Sequence, residues 1–463
     1  PRCCGFAYTS TMHIDELRSR FEAAGIRRVK VGGFDIDGVL RGKYLSLEKF
    51  WSVADKGFGF CDVIFGWDLD DRCYDNVRVT GSHSGYPDIR AVVDTDSFRV
   101  LPFEPDTAAF LLDFKGEDQK AHPACPRGLL KRIVGRAEAS GYRPKIGAEL
   151  EFWVFRETPE SVREKRYAGL TPLSPGMCGY SWLRTGQHRD FVHDLLESAE
   201  AFDIPVEGFH TETGPGVYEV ALRYGDALAM ADRTALFKTL AKEVAVRHGL
   251  MVTFMAKWNA GLPGSSGHLH QSLMDSTESK NLLADSKGPY GLSVLGQQYL
   301  AGLLHAMVDL TAVYAPTINS YKRYVPGVWA PLFASWGIEN RTTSIRLIRG
   351  DSPASTRVEY RQTAADLNPY LSIAASLGAG LYGIENALVP PPPVEGDASA
   401  TMNGPPLPDD LATAASLMGK SELAKAILGE PFVDHYVRTR EWEVRAFEKA
   451  VTDWELARYF ESI

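Results

Sequence analysis

Hydrophobic and polar residues alternate in several stretches of the first 115 residues, and this period of two predicts β-strands. Residues 28–36 alternate, Asp37-Gly38 is a typical hairpin turn, and residues 39–45 supply the return strand. The other predicted elements here are strands at 91–98 and 108–114, helices at 12–24 and 46–54, and a loop at 57–71. Strands and helices mixed in this way predict a small α+β domain.

Helical periodicity becomes more frequent after a proline-containing segment at residues 122–127. The predicted strands are 145–155, 206–210, 217–223 and 250–256. The predicted helices are 128–140, 191–202, 226–248, 299–313, 368–385 and an amphipathic tail at 421–460. Residues 390–408 are rich in proline and glycine and predict a surface loop. We expect an N-terminal domain of residues 1–118 and a second domain of residues 119–463.

Composition and charge exclude several classes of protein. The chain has 463 residues, of which 44% are hydrophobic and 24% charged, with a net charge of −9. This negative balance does not favour a nucleic-acid surface, and no apolar run reaches the roughly 18 residues of a membrane-spanning helix. The first residues lack the apolar core of a signal peptide. Six scattered cysteines without metal-binding spacing predict reduced thiols, and so a cytoplasmic protein.

Two pairs of ionisable residues lie at alternate positions of predicted strands. Glu149 and Glu151 are separated by one leucine, and so are His268 and His270. Alternate residues of a strand share a face, so each pair points in one direction. Two carboxylates on one face of an apolar strand are unfavourable unless positive charge lies nearby. A hydrated surface and an ordinary hairpin would also accommodate these residues.

The segment before His268 is rich in glycine and serine, with the sequence Gly264-Ser-Ser-Gly267. Glycine allows backbone torsions that other residues avoid, and serine adds short hydroxyl groups. Such a turn can bring main-chain N–H groups close to a ligand.

Further glutamates occur beside predicted strands. Glu212 and Glu219 flank a Gly-Pro-Gly connection, and Glu359 shares one face of a short strand with Arg357 and Arg361. Carboxylate-rich sites with an occasional imidazole suit Mg²⁺ or Mn²⁺ better than zinc.

Arginines follow in the next segments, at Arg323, Arg341 and Arg346. Planar guanidinium groups recognise phosphates and carboxylates, although each of these could be a surface charge. Metal ions and arginines in one site favour phosphoryl transfer, where neutralisation of charge does most of the catalysis.

These motifs together resemble those of glutamine synthetases, in the order of that family. They are Gly147-Ala-Glu-Leu-Glu-Phe152, Glu212 with Glu219, Gly264-Ser-Ser-Gly-His-Leu-His270, Asn319-Ser-Tyr-Lys-Arg323, Asn340-Arg341 with Arg346, and Arg357-Val-Glu-Tyr-Arg-Gln362 with Asn368-Pro-Tyr-Leu371. The resemblance implies an N-terminal β-grasp domain and a catalytic domain with an antiparallel sheet and flanking helices. It also implies ATP-dependent formation of γ-glutamyl phosphate, attack by an amine, and a dodecamer of two six-subunit rings.

The resemblance also implies roles for individual residues. One metal ion would be bound by Glu151, Glu212 and Glu219, and a second by Glu149, His268 and Glu359. The glutamate substrate would contact Gly264, Arg323 and Arg361. Arg341 and Arg346 would lie near the transferred phosphate, and the nucleotide would also contact His270, Ser272 and Arg357.

The sequence departs from the family pattern at several positions, two of which concern the ammonium site. Ammonia-using members carry a glutamate in the segment Pro-Gly-x-Glu-Ala-Pro, whereas this chain has Trp329 in Pro326-Gly-Val-Trp-Ala-Pro331. The Asp-Gly-Ser-Ser loop of those members is absent, which leaves the roles of Asp68 and Asp70 open. Pro263 and Val217 replace an expected asparagine and glutamine. The tyrosine motif for adenylylation is absent too, so that regulation is not expected.

We therefore expect a ligase that couples glutamate to an organic amine, such as an alkylamine, ethanolamine or a polyamine. An indole cannot accept a proton from ammonium, but it offers an apolar or cation–π wall to a substituted amine. The alternatives are ordinary glutamine synthesis with an altered ammonium site, and a catalytically silent assembly protein of the same fold. The complete set of metal-ligand residues argues against the silent protein.

Overall fold

The computed structural model describes residues 12–463, and within that range it contains two β-sheets with helices packed around them. Cys3 and Cys4 lie outside the described residues. The first elements in the chain are α1 (Ile14–Ala23), β1 (Arg28–Phe34), β2 (Leu40–Leu45), α2 (Leu47–Val53), β3 (Phe58–Cys61), β4 (Asp88–Leu101) and β5 (Glu104–Lys115).

These strands form a five-stranded sheet in the order β2-β1-β5-β4-β3. The central strands β1 and β5 run parallel, and the other neighbours pair antiparallel. The turn between β1 and β2 contains Gly38 with φ of 80°, as the Asp-Gly pair predicted. Aromatic residues of α1, α2 and the sheet pack into one core, with Phe21, Phe50 and Phe110 in contact. This arrangement is the β-grasp-like unit that the sequence predicted.

The remaining strands form an eight-stranded sheet in the order β11-β12-β13-β10-β6-β8-β7, with β9 beside β6. Their bounds are β6 (Tyr142–Phe155), β7 (Val206–Thr211), β8 (Val217–Asp226), β9 (Met251–Thr253), β10 (Gly267–Asp275), β11 (Trp336–Ile338), β12 (Ile345–Ile348) and β13 (Arg357–Tyr360). The sheet is antiparallel as expected, except that β11 and β12 run parallel. The chain returns between them through a short loop at residues 339–344, which contains Arg341.

Helices cover this sheet and complete the α+β architecture, which confirms the predicted fold class. They are α3 (Pro126–Ala139), α4 (Pro159–Glu164), α5 (Trp182–Gln187), α6 (Arg189–Ala201), α7 (Ala227–Arg247), α8 (Val294–Ala306), α9 (Thr311–Tyr314), α10 (Pro369–Glu385), α11 (Ala398–Thr401), α12 (Leu411–Lys420), α13 (Glu422–Leu428), α14 (Glu430–Glu448) and α15 (Asp453–Tyr459). Within residues 12–463, no helix is both long and apolar enough to span a membrane.

Four predicted elements differ from the structure. The predicted loop at 57–71 contains β3, which pairs with β4. The predicted helix at 299–313 is broken into α8 and α9 by a turn in which Asp309 accepts a hydrogen bond from Ser421. The predicted strand at 250–256 pairs with β6 over only three residues. The predicted tail helix at 421–460 is divided at Gly429, whose φ is 89°, and again before α15.

A buried arginine joins the smaller sheet to helices that cover the larger one. Arg127 of α3 is 3% exposed and lies 2.8 Å from Asp94 of β4, 2.7 Å from Asp113 of β5 and 2.9 Å from Asp232 of α7. Burial opposes the guanidinium charge, but these three carboxylates raise the pKa of Arg127 above its usual range. A buried arginine with this many partners fixes elements that lie far apart in the sequence. The boundary after residue 118 stays a prediction.

Candidate active site

Charged side chains occupy opposed positions on four neighbouring strands of the larger sheet. Glu149 of β6 is opposite His268 of β10, and Glu359 of β13 is opposite both His270 of β10 and Arg346 of β12. Opposed residues of an antiparallel pair point to the same face, so these five side chains form one cluster. We call it the His268 cluster.

A second cluster continues the same row on the other side of β6. Glu151 of β6 is opposite Glu219 of β8, and Glu219 is opposite His210 of β7. Glu212 follows β7 directly and lies beside His210. We call these four residues the Glu219 cluster. The two glutamates at alternate positions of β6 share one face, as their spacing predicted, and they belong to two adjacent clusters.

In the His268 cluster, one imidazole lies between two carboxylates. His268 Nδ1 is 3.5 Å from Glu149 Oε2 and 3.4 Å from Glu359 Oε1. Glu359 is 2% exposed, yet its pKa is about 2, because Arg361 and the two histidines outweigh the effect of burial. Burial and the charge of Arg361 lower the pKa of His268, so its ring stays neutral and can offer a lone pair.

His270 differs from His268 in the hydrogen bonds of its ring. Its Nδ1 accepts a hydrogen bond of 3.2 Å from Arg357 Nε, so a neutral ring carries its proton on Nε2. Nε2 lies 3.1 Å from Glu149 Oε1. Although His270 lies within reach of a metal held by Glu149 and Glu359, this tautomer makes it a donor. The geometry thus favours His268 as the ligand and leaves His270 for a phosphate or carboxylate oxygen.

In the Glu219 cluster, carboxylates outnumber positive charges. Burial raises the pKa of Glu219 to about 9, and the charges of Glu151 and Glu149 add to this effect. Burial likewise raises the pKa of Glu151 to about 7. Glu212 differs, because a hydrogen bond of 3.1 Å with His210 lowers its pKa against the effect of burial. Oxygen ligands crowded in this way fit a hard divalent cation such as Mg²⁺ or Mn²⁺.

His210 is a site residue that the sequence reasoning missed. It lies 3.1 Å from Glu212 and 3.7 Å from Glu219, and its ring stacks on Tyr180 at 4.3 Å. The signal was present, since His210 and Glu212 alternate in the sequence as Glu149 and Glu151 do. Tyr180 gave no such signal, because it lies in the distant segment before α5.

The two proposed glutamate-binding arginines have different surroundings. Arg323 is 2% exposed and makes four hydrogen bonds, to the Ser266 hydroxyl and to the carbonyls of Arg361 and Gln362. Arg361 is also buried and donates to Glu359 and to the Arg341 carbonyl. Among the described residues, Nη2 of Arg361 makes no hydrogen bond. Arg361 therefore has donors left for a substrate carboxylate, whereas Arg323 has almost none in this arrangement.

Ser266 connects a proposed metal ligand to Arg323. Its backbone N–H donates a 2.6 Å hydrogen bond to Glu151 Oε2, and its hydroxyl accepts from Arg323 Nη2 at 3.1 Å. The glycines around Ser266 could adopt torsions that other residues avoid, but neither has a positive φ. A Cβ atom at Gly264 would instead lie 2.8 Å from both the Ala256 carbonyl oxygen and Arg323. Close packing, not torsion, requires glycine here.

The remaining predicted site residues are dispersed around this core. Arg346 donates to Glu359 Oε2 at 3.2 Å, and Arg357 reaches the site through His270. Arg341 is exposed, and Ser272 is half-buried on β10. Trp329 is 69% exposed and lies in the turn that follows Arg323. The structure thus brings together the predicted glutamates, His268 and His270, and the arginines Arg346, Arg357 and Arg361. The roles of all these residues stay predictions.

The acidic loop at residues 66–71 contains Asp68, whose carboxylate has a structural role. Asp68 Oδ1 accepts hydrogen bonds from the backbone N–H groups of Asp70 and Arg72, and Oδ2 accepts one from the Trp442 indole. Both oxygens of Asp68 are therefore used to close a turn and to attach it to α14. Asp70 is exposed and is the carboxylate of the two that remains available to a ligand.

Comparison with known families gives one consistent result. The family model described as "Glutamine synthetase, catalytic domain" matches residues 123–459. A Dictyostelium discoideum protein, type-1 glutamine synthetase 2, is 47% identical over 94% of this chain and 84% of its own length. Two proteins are 37% identical: glutamate–isopropylamine ligase from a Pseudomonas species, over 97% of this chain and 98% of its own length, and γ-glutamylethanolamide synthetase from Streptomyces coelicolor, over 98% and 96%.

Solved structures agree with this result. The structure of a complex of GmaS with ADP has a TM-score of 0.83, with 28% sequence identity. The match covers 96% of this chain and 99% of the other.

Proposed function

Because the chain belongs to the glutamine synthetase family of C–N bond-forming ligases, we propose that it couples an organic amine to the γ-carboxyl group of glutamate. In the proposed reaction, a γ-carboxylate oxygen of glutamate attacks the γ-phosphorus of ATP, and ADP leaves. The amine nitrogen then attacks the acyl carbon and loses a proton, while phosphate leaves with the C–O bond electrons. The products are a γ-glutamyl amide, ADP and phosphate.

The observation that carries the choice of amine is Trp329. Its side chain is 69% exposed in the turn after Arg323, where ammonia-using members of the family place a glutamate. An indole neither attracts ammonium strongly nor removes its proton. It does offer apolar surface, and burying one or two methylene groups contributes about 1–2 kcal/mol. An organic amine gains from this wall, whereas ammonia does not.

Two relatives support the proposal by their names, since one is an isopropylamine ligase and the other an ethanolamide synthetase. A second candidate, glutamine synthesis from ammonia, is favoured by the 47% identity to a type-1 glutamine synthetase. The residues of the His268 and Glu219 clusters do not separate the two candidates, because activation of glutamate is common to both. The acceptor amine must therefore be measured.

The chain's own residues have defined tasks in this proposal. Two divalent cations would be held by the Glu219 cluster and by Glu149, His268 and Glu359, and would supply neutralisation of phosphate charge. Arg361 would bind the glutamate carboxylate with its free Nη2. The Ser266 hydroxyl would hold Arg323 beside the Gly264-Ser-Ser-Gly267 segment. His270 and Arg346 would donate hydrogen bonds to the phosphate oxygens. We also propose a cytoplasmic dodecamer of two six-subunit rings, by resemblance to the family.

The experiment that tests this function is phosphate release with ATP, Mg²⁺ and glutamate against a panel of amines. The panel contains ammonium, methylamine, isopropylamine, ethanolamine and putrescine, with mass spectrometry of the products. We expect a γ-glutamyl amide from at least one organic amine. Activity with ammonium alone would establish the second candidate, and no activity with any acceptor would favour the silent assembly protein.

A further inference from the structure

Glu339 has an unusual backbone conformation next to the phosphate-side arginines. It follows β11 directly, before Asn340 and Arg341, and its φ is 51°. A residue other than glycine or asparagine is rarely left-handed, and such strain is maintained only where the surroundings fix it. A bond from the backbone N–H of Glu339 to the Leu347 carbonyl, 3.0 Å long, holds this conformation.

The strained backbone directs the Glu339 carboxylate into two hydrogen bonds. Oε2 accepts from Arg346 Nη2 at 2.6 Å, and Oε1 accepts from the backbone N–H of Arg349 at 3.1 Å. The carboxylate is thus held at both oxygens, although the side chain of Glu339 is 43% exposed. An exposed carboxylate held this firmly is well suited to orient its partner.

Arg346 is fixed from the opposite side by the His268 cluster. Its Nη1 donates to Glu359 Oε2 at 3.2 Å, and Glu359 is itself 3.4 Å from His268. Each terminal nitrogen of the guanidinium therefore meets a different glutamate. Its Nε–H is buried and has no hydrogen-bond partner among the described residues. A buried donor without a partner is unfavourable, unless a ligand accepts its hydrogen bond.

We propose that Glu339 is a positioning residue, which holds Arg346 so that its unpaired Nε–H donates to the transferred phosphoryl group. The proposal rests on the proposed function, since it assumes that ATP binds here. Arg346 would otherwise be drawn toward Glu359 alone, because Glu339 is the hydrogen-bond partner of Nη2 among residues 12–463. Glu339 touches no reacting atom in this account and acts only through Arg346.

The test compares two nucleotides that differ in the γ-phosphoryl group. Binding of the ATP analogue AMP-PNP and of ADP is measured by calorimetry with Mg²⁺, for the wild type and for Glu339→Gln. Glutamine keeps the shape of the side chain but loses its charge. We expect AMP-PNP binding to weaken about tenfold, because a neutral amide holds Arg346 less firmly than a carboxylate does, and ADP binding to change less than twofold. Glu385→Gln, which breaks an exposed ion pair with Arg136, should change neither value.

A double variant tests whether Glu339 acts through Arg346. Glu339→Gln combined with Arg346→Lys should bind AMP-PNP no more weakly than Arg346→Lys alone, because the effects of coupled residues do not add. Equal losses for both nucleotides, no loss for either, or additive effects would overturn the proposal. A wild type with no preference for AMP-PNP over ADP would also overturn it. Since binding needs no acceptor amine, loss of turnover in the amine panel would count against the proposed function and leave this result standing.

Discussion

Glu149 and His268 face each other across the antiparallel pair β6–β10, with Oε2 of the carboxylate 3.5 Å from Nδ1 of the imidazole. The next strands on either side extend this pair into the two clusters. Because the alignment follows from strand register, a slip of one residue would turn every ligand away from the face. The register is kept along the pairing of β6 with β10, and along the pairing of β6 with β8 from Ala148 onward, and it is thus a condition of the site.

Loss of either member of this pair should abolish ATP turnover. Glu149→Ala and His268→Ala each remove a proposed ligand of a charge-neutralising site, so we expect turnover at least about 100-fold below wild type. The native mass should not change. Glu385→Ala and His305→Ala, at exposed positions outside the two clusters, are the matched controls. Near-normal turnover in both site variants would remove these residues from the catalytic role.

Metal binding should release protons at neutral pH. Burial and neighbouring carboxylates raise the pKa of Glu219 to about 9 and that of Glu151 to about 7, so the apo-protein holds protons there at pH 7. A divalent cation displaces them, and its affinity should therefore rise from pH 6 to pH 9. Calorimetry with Mn²⁺ in buffers of different ionisation enthalpy measures the protons released. Affinity that is independent of pH, with no proton release, would contradict this assignment.

Arginine-to-lysine substitutions should distinguish the role of Arg361 from that of Arg323. Arg361 has a free Nη2, so Arg361→Lys should raise KM for glutamate by roughly tenfold, because lysine cannot make a bidentate carboxylate contact. Arg323 has spent its donors on protein groups, so Arg323→Lys should mainly lower the melting temperature. Steady-state kinetics and thermal melting of both variants check this. An unchanged KM in Arg361→Lys would make Arg361 structural.

Two buried histidines predict loss of stability in mild acid. Burial lowers the pKa of both His122 and His435 to about 4, and His435 has no hydrogen-bond partner at either ring nitrogen among residues 12–463. The unfolded chain takes up these protons near pH 6.5, whereas the folded chain does not. The contribution of each neutral ring to the free energy of unfolding is therefore fully present above pH 6.5. It is lost as the pH falls toward 4, by up to about 3 kcal/mol for each ring.

Thermal melting at pH 7 and pH 5 tests this prediction with His435→Leu. The drop in melting temperature between the two pH values should be smaller in His435→Leu than in wild type, while His305→Leu, at an exposed position, should behave as wild type. An equal drop in His435→Leu would assign the acid sensitivity to other groups.

Period-two patterns explain why much of the site could be predicted from the sequence. Glu149, Glu151, His268 and Glu359 lie on strands, where alternation alone fixes the shared face, and the structure places them together. The turn at Gly38 could also be predicted, because an Asp-Gly pair is a local signal for a hairpin turn.

What the sequence could not predict depends on tertiary contacts. Arg323 and Arg361 look equivalent in the sequence, yet only packing against Ser266 and two carbonyls makes Arg323 a buried residue with few free donors. The sequence left the role of Asp68 open, because its hydrogen bond comes from the indole of Trp442, which is 374 residues away. The broken helix after α8 likewise depends on a distant partner, Ser421.

A change at Trp329 should move the acceptor preference. Trp329→Glu restores the carboxylate of ammonia-using relatives and removes the apolar wall, so we expect the ratio of kcat/KM for an organic amine to that for ammonium to fall by roughly tenfold. Trp329→Phe keeps an apolar ring and should retain the wild-type preference. Identical ratios in all three proteins would remove Trp329 from the acceptor site.

The central claim is that the acceptor is an organic amine, and direct competition tests it. The wild-type enzyme is given ATP, Mg²⁺, glutamate and equal concentrations of ammonium and of one organic amine from the panel, and mass spectrometry measures glutamine and the γ-glutamyl amide in the same sample. The ratio of the two products equals the ratio of the kcat/KM values. We predict that the γ-glutamyl amide exceeds glutamine for at least one amine. Glutamine in excess over every amide would contradict the claim and establish an ammonia-using glutamine synthetase.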